Sequence, residues 1–490
     1  MEAVVGQRRG TLLAALPPAA WGAIFALFAA VYAAFMWGFT IDDALISIRY
    51  ARHLASGAGY RFDLGGPSTD GVTPLPWAFL LAPLAHAAAL DVLARVKIVS
   101  VVLWIASAFA LGRRVGTMPV APAWKLVALV IGALSLPVAA GSVSGMETGV
   151  VIALATFAAT EAERERLLSA NILAGILAAF RPEMVVWAVV LSVTSSLVLR
   201  SPKRTAMLGA IAFAPFALCG LVRLIAFGHL APLAVLAKPS DLAHGSVYAV
   251  AAALTALTPV LAFAPLALWR APISAKAIAL AGLAHLLAVA IAGGDWMPYA
   301  RLVAPTAPSL VLAFVRSAPC AKTWSLALRS ALAIALGLYF LTAAAPRGRN
   351  VGRDRAALVE ASRPYLQNAH IVATADIGWP TAATEADIVD LAGLTDPEIA
   401  ALPGGHTSKR VEPGMLLDRK PDVILLYATA GVTGATLDDW TSAEYEKVVD
   451  VRIASSSLIS RHFEAVGFLP LGSSGAGYVV LARSEDSSAR

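Results

Sequence analysis

The stretch that decides how this chain is read is Thr40–Thr73, TIDDALISIRYARHLASGAGYRFDLGGPSTDGVT. It sets two adjacent carboxylates, Asp42 and Asp43, beside a basic and aromatic segment (Arg49, Tyr50, Arg52, His53, Tyr60, Arg61) and ends in a glycine- and proline-rich turn region. A long apolar run precedes it, and apolar runs follow it to about residue 345. Carboxylates close to a bilayer are costly and are usually kept for function. An acidic pair just beyond a first membrane-length run is therefore a candidate site.

Working outward, 58% of the 490 residues are hydrophobic and 14% charged, with a mean hydropathy of +0.72. Soluble domains carry about 25% charged residues. The expected class is a polytopic α-helical membrane protein. A net charge of +6 then reflects Lys and Arg that set orientation, and no nucleic-acid partner is expected. Cys219 lies in an apolar run and Cys320 in a short basic loop, which is no disulfide framework. Arg8 and Arg9 before an apolar run to Phe39 mimic a signal peptide. The run is long, however, and cleavage near Ala34 would detach the first anchor beside the acidic loop, so it reads as a retained span.

A span needs about 20 apolar residues. The candidates are Ala20–Trp37, Val92–Leu111, Leu126–Ala140, Thr148–Thr160, Leu168–Phe180, Met184–Leu199, Thr205–Phe227, Val247–Leu268, Ala277–Ala292, Leu302–Val315 and Trp324–Ala344. That makes about eleven transmembrane helices. Pro74–Leu90 is a further apolar segment, and its prolines suit a re-entrant or interfacial helix better than a straight span. With the N-terminus in the cytoplasm and Pro74–Leu90 not crossing, the basic loops RRVGTMPVAPAWK, EAERERL, RSPKR, WRAPISAK and RSAPCAK all fall inside. The chemically unusual loops then face outward.

Beyond residue 345 the composition changes. RGRNVGRDRAALVEASRPYLQN reads as a basic amphipathic helix at the membrane surface, and HIVATAD, ADIVDLAG, DVILLY and GYVVLAR read as strands. The expected domains are a transmembrane catalytic domain, 1–345, with residues 39–91 as its first outer loop, and a small extracytoplasmic α/β domain, 346–490. The expected location is the inner (plasma) membrane, multi-pass, with the C-terminal domain periplasmic or extracellular.

Asp42 and Asp43 are the catalytic candidates. Adjacent helical residues point about 100° apart, so one would act as base while the other holds a sugar, a metal or a cation. The plainer role is acidic first-turn chemistry at a helix start. Arg49 and Arg52 could dock a lipid phosphate bidentately or simply meet headgroups. Glu147 in SGMET, and Arg181 and Glu183 in FRPEM, lie at outer span ends as substrate contacts or helix-end ion pairs. His229 and Lys238 share one outer loop, and Asp295, Trp296 and Arg301 share another, GGDWMPYAR. Asp70 in STDG reads as a turn residue. No His/Cys spacing builds a zinc site. The hard carboxylates could hold Mg²⁺ or Mn²⁺, but nothing requires a cofactor.

DDALISIRYARHLASGAGYRFD, SGMET, RPEM, GHLAPLAVLAK, GGDWMP and DIGWPTAATEADIVDLAGLTDPEIA, in this order, resemble the GT-C membrane glycosyltransferases, in particular the actinobacterial cell-wall terminal arabinofuranosyltransferase family. The likeness runs from about Phe39 to Pro397. It implies a GT-C fold with the catalytic acid in the first outer loop, carried here by Asp42 and Asp43. It also implies a polyprenyl-phosphate-linked arabinofuranose donor and a glycan acceptor outside the membrane.

Chemistry leads to a similar minimum without the likeness. A sugar leaving as lipid phosphate needs no proton donor but does need cations, and the acceptor hydroxyl needs one base. In this reading Asp42 or Asp43 is the base, Arg301 and Lys238 steady the phosphate, the Pro74–Leu90 segment shapes the cleft, and the C-terminal domain contacts the acceptor. A GT-C enzyme moving mannose or another sugar is the main rival. A transporter or flippase would gather charge at the bilayer midplane on repeated, broken helices, a pattern absent from this sequence. A scaffold for envelope assembly with a degenerate site is a third reading, against which the intact acidic pair argues.

Overall fold

In a computed structural model of the chain, the described residues are 13, 15–238, 240–255, 265–430 and 437–484. Part of the expected Val247–Leu268 span, residues 256–264, lies outside them. Helices dominate up to residue 366, and a sheet region follows.

Among the described residues, five helices are long and apolar enough to cross a membrane: Pro18–Phe35, Ala89–Gly116, Pro202–Phe227, Ile273–Ile291 and Thr323–Ala343. A sixth span results if Pro122–Ala133 and Leu136–Val143, bent by 53° where the chain breaks, count as one. The other expected spans form shorter apolar helices, among them Thr148–Glu163, Leu167–Phe180 and Met184–Ser196. They are short because the chain turns at their ends: Arg181, Pro182 and Glu183 link the last two, and Pro182 cannot continue a helix. Along Pro202–Phe227, with a hydropathy of 2.1, only 11% of the most apolar window is buried. Leu218, Leu221 and Ile225 stand exposed on it. An apolar surface of that kind needs lipid around it rather than water, which fits a membrane-embedded protein. The Pro74–Leu90 segment forms a helix, Leu75–Leu81, and a 3₁₀ turn, Ala82–Leu84, too short to cross.

The chain divides into two compact units. The first contains residues 1–40, 96–219 and 240–349. In it, Gly112, Gly116 and Gly132 let the Pro18–Phe35 helix pack closely, since a Cβ at any of them would collide with Trp21 or Phe25 or lie against them. The buried Lys97 donates to the carbonyls of Trp37 and Phe39 at 2.6 and 2.9 Å, satisfying acceptors just past the end of that helix.

The second unit gathers residues 41–95, 220–239 and 350–490. The first acidic loop, assigned by sequence to the membrane domain, thus belongs with the C-terminal region. Its sheet runs β2 (Asp387–Asp390), β1 (Ile371–Thr374), β3 (Val423–Ala430), β6 (Gly477–Arg483), β5 (Phe463–Pro470), with β4 (Glu444–Tyr445) also on β3. β1 is parallel to β2 and β3, while β6 is antiparallel to β3 and β5. Ile424, Leu426, Val479, Leu481, Val449 and Phe463 form the core on this sheet. The basic helix read from the sequence is Val351–Leu366, which buries Leu358, Val359 and Leu366. That burial means the helix packs within a folded unit along one face.

Candidate functional site

Asp42 immediately precedes the Asp43–Ala55 helix, at its N-cap position, but its side chain makes no cap hydrogen bond. The carboxylate serves another partner. The backbone N–H of Trp379 donates to Asp42 Oδ2 at 3.2 Å. The approach requires glycine next door: a Cβ on Gly378 would lie 2.5 Å from both the backbone oxygen and Oδ2 of Asp42. Asp42 Oδ1 is buried and has no hydrogen-bond partner among the described residues. Arg355 Nε, from the Val351–Leu366 helix, lies 3.7 Å from that oxygen. This is an ion contact beyond hydrogen-bond distance.

From Arg355 the contacts continue through the C-terminal region. Arg355 Nη1 donates to the Tyr478 hydroxyl at 3.3 Å, and that hydroxyl donates to Asp376 Oδ2 at 2.8 Å. Lys447 forms an ion pair with the same carboxylate. The N–H of Asp376 is held by Thr374 Oγ1 at 3.2 Å. Close by, Asp450 accepts the N–H of Tyr427 at 3.1 Å. Trp379 and Tyr478 pack ring on ring, 5.0 Å between centroids. β1 carries Thr374 and delivers Asp376 just beyond its end, while β6 carries Tyr478, so the sheet sets the spacing of the cluster.

Burial pushes the Asp42 carboxyl up to about 6; Arg355 opposes the rise, while Asp376 and Asp43 add to it. Burial works the same way on Asp376, but Lys447, Arg355 and the Tyr478 hydroxyl outweigh it and hold that carboxyl below its ordinary value. Asp450 is raised to about 7, mainly by burial and against Lys447. Burial opposes the charge on Arg355, yet Asp42 and Asp376 keep its pKa above the ordinary value. The result is one permanent anion, Asp376, one permanent cation, Arg355, and a carboxylate at 42 poised near neutrality with an oxygen to spare. That division of roles suits proton transfer.

The remaining sequence candidates fall into separate places. Asp43 begins the helix and is half-buried. Arg49 is buried, donating to Phe62 O at 2.7 Å, Asp63 Oδ1 at 2.9 Å and Ala386 O at 2.7 Å. Arg52 pairs with Glu385 at 2.8 Å. Both arginines thus fasten the first loop to the segment before β2. His229 Nδ1 lies 2.6 Å from Ala231 O, and Lys238 is half-buried in the same loop.

In the first unit, Arg181 sits between Glu147 at 2.6 Å and Glu183 at 3.1 Å. Arg301 grips Asp295 at 2.5 and 3.3 Å and reaches Met146 Sδ. Trp296 stacks on His244, 4.1 Å between centroids. SGMET, RPEM and GGDWMP therefore form one neighbourhood, a second charged cluster.

Asp70 corrects its reading as a turn residue. It is fully buried and ion-paired to Arg223 at 2.5 Å, and Arg223 also donates to Thr73 O. A buried arginine inside an apolar helix requires such a partner. Little in the local sequence marks Arg355, Lys447 or Tyr478 as site residues. Asp376 and Trp379 lay within DIGWPT, one of the strings behind the resemblance. Among the described residues, no group of three or more His, Cys, Asp or Glu is placed to hold a metal ion. The second unit also holds a cavity of about 410 Å³ lined by Asp63, Thr69, Asp387, Asp396 and Arg419, among others.

A family model described as a domain of unknown function (DUF8728) matches residues 348–478. No curated protein matches the chain. The matched region holds Arg355, Asp376, Trp379, Lys447 and Tyr478, while their partner Asp42 lies far outside it.

Proposed function

We propose that this chain is an inverting membrane glycosyltransferase that moves a sugar from a polyprenyl-phosphate donor to a glycan hydroxyl at the outer membrane face. The observation that carries the reading is the state of Asp42: one oxygen oriented by the Trp379 N–H, the other without a hydrogen-bond partner, and the carboxyl raised by burial to about 6. A general base needs that free lone pair and that range. In the reaction, the acceptor O–H proton passes to Asp42 and the oxygen forms a bond to the anomeric carbon. The bond from that carbon to the phosphate oxygen breaks, and the lipid phosphate departs with the electron pair. One displacement inverts the centre.

The sequence resemblance supplies the class of donor, with arabinofuranose as its sugar, and the short apolar helices are read here as completing a GT-C-type bundle. The acidic lining of the 410 Å³ cavity suits a neutral, hydroxyl-rich glycan better than an anion, which favours it for the acceptor.

The test is sugar transfer in membranes, using radiolabelled polyprenyl-phosphoryl-arabinose and a glycan acceptor, for the wild type, Asp42→Asn and Asp43→Asn at matched expression. Transfer abolished by Asp42→Asn is the expected result. Activity unchanged in both variants sinks the acidic-pair mechanism. Transfer only from a mannose donor keeps the mechanism and replaces the sugar.

A further inference from the structure

We infer that Arg355, supplied by the region that matches only a domain of unknown function, is the anion site for the donor phosphodiester, and that the donor draws this arginine away from Asp42. The inference rests on the transferase reading for the identity of the donor; the anion site rests on geometry.

A guanidinium carries five N–H donors. Among the described residues Arg355 spends one on a hydrogen bond, to Tyr478 at 3.3 Å, and holds Asp42 only at 3.7 Å. Two other buried arginines facing carboxylates, Arg49 and Arg301, are more fully engaged. Arg49 makes hydrogen bonds of 2.7–2.9 Å, and Arg301 makes two to Asp295. Arg355 is therefore a largely buried cation with donors to spare, and its fork matches two phosphate oxygens. The facing Asp42 Oδ1 is likewise without a hydrogen-bond partner. Two unspent groups of opposite charge, too far apart to hydrogen-bond, leave room for a ligand to take the arginine.

The consequence for Asp42 has a definite sign. The charged groups acting on it are Arg355, Asp376, Asp43 and, more weakly, Lys447. The two cations favour its ionised form, as does the Trp379 N–H. When a phosphodiester neutralises Arg355 and adds its own negative charge, the carboxylate holds a proton more tightly. Donor binding thus raises the proton affinity of Asp42: near pH 6 a fraction of the chains takes up a proton from solvent, and above that range the carboxylate that stays ionised is the stronger base.

The experiment is calorimetric titration of the full chain in detergent with geranylgeranyl methyl phosphate, a diester whose own phosphate stays ionised across the range. Near pH 6, buffers of different ionisation enthalpy report the protons exchanged. The wild type should take up a fraction of a proton. Asp42→Asn should take up none and bind at least as tightly, since the competing carboxylate is gone. Arg355→Gln should weaken binding about tenfold or more, the loss of a charge-assisted bidentate contact, and Arg355→Lys by less. Arg363→Gln, exposed on the same helix, should match the wild type. Unchanged affinity in Arg355→Gln or its Lys counterpart overturns the inference, as does wild-type binding without proton uptake. Equal uptake with dioleoyl phosphatidylglycerol overturns the donor assignment in favour of a bilayer headgroup. Binding with uptake in a chain that transfers no sugar upholds the anion site and removes the transferase reading.

Discussion

At the scale of single residues, Asp42 sets two opposing pH dependences. As the proposed base it works only when ionised, so transfer at low donor concentration should fall as pH drops through about 6, and the kcat/KM profile, which reports the free enzyme, should show that limb. In the fold its pKa is raised, so protonation is easier there than in the unfolded chain. Its contribution to stability is full below the unfolded value near 4 and is lost as pH rises through about 6. Between these values activity should climb while the melting temperature declines, and a paired rate and thermal-unfolding series checks both. Asp450, raised to about 7, extends the stability trend without touching the rate limb. The sequence allowed two roles for Asp42, cap and base. Its side chain makes no cap hydrogen bond and accepts instead from the Trp379 N–H, more than three hundred positions away. Nothing local marks Gly378 for the same reason: the atom that excludes a side chain there belongs to a distant segment.

At the scale of elements, the Asp70–Arg223 pair joins the end of the Pro202–Phe227 helix to the first loop, both in the second unit. Asp70→Asn leaves a buried guanidinium uncompensated and should destabilise the chain by about 3 kcal/mol, read as a lower unfolding midpoint in detergent. An Asp70→Asn, Arg223→Met double variant should recover much of the loss; no recovery would remove the pair as the cause. Elements with an unbroken pattern were legible beforehand. β1, β2, β3 and β6 match the apolar strings read as strands. β5 was not, because Glu464, a register shift between Ala465 and Gly467, and Pro470 break its alternation. The Val351–Leu366 helix was legible as a helix, but Arg355 among its basic residues gave no local sign of facing a carboxylate.

At the scale of the molecule, the proposed function expects Cys320 in a cytoplasmic loop and the C-terminal region outside, as the positive-inside rule reads the Lys and Arg distribution. In a Cys219→Ser background, a membrane-impermeant maleimide should label Cys320 only after permeabilisation. A cysteine placed at the exposed Ser473, with Cys320 replaced by Ser, should be labelled in intact cells. The reverse pattern would put Asp42 on the cytoplasmic side and remove an outer-face donor. Composition was enough to expect membrane helices, since hydropathy is local. The grouping of residues 41–95 and 220–239 with 350–490 was not legible, because no periodicity records which distant segments meet.

The Trp379-to-Asp42 hydrogen bond spans 337 positions, and this bears on how the protein is made. At synthesis rates of about 5–20 residues per second, Asp42 emerges roughly 20–70 s before Trp379. Throughout that interval its loop has been delivered without the groups that will bury it. The proposed base at Asp42 then lacks the Trp379 N–H that orients it and the Arg355 guanidinium that faces it. The complete cluster forms only once the region carrying Arg355, Asp376 and Trp379 has been made, so a chain that stalls before it would carry the proposed base without its partners.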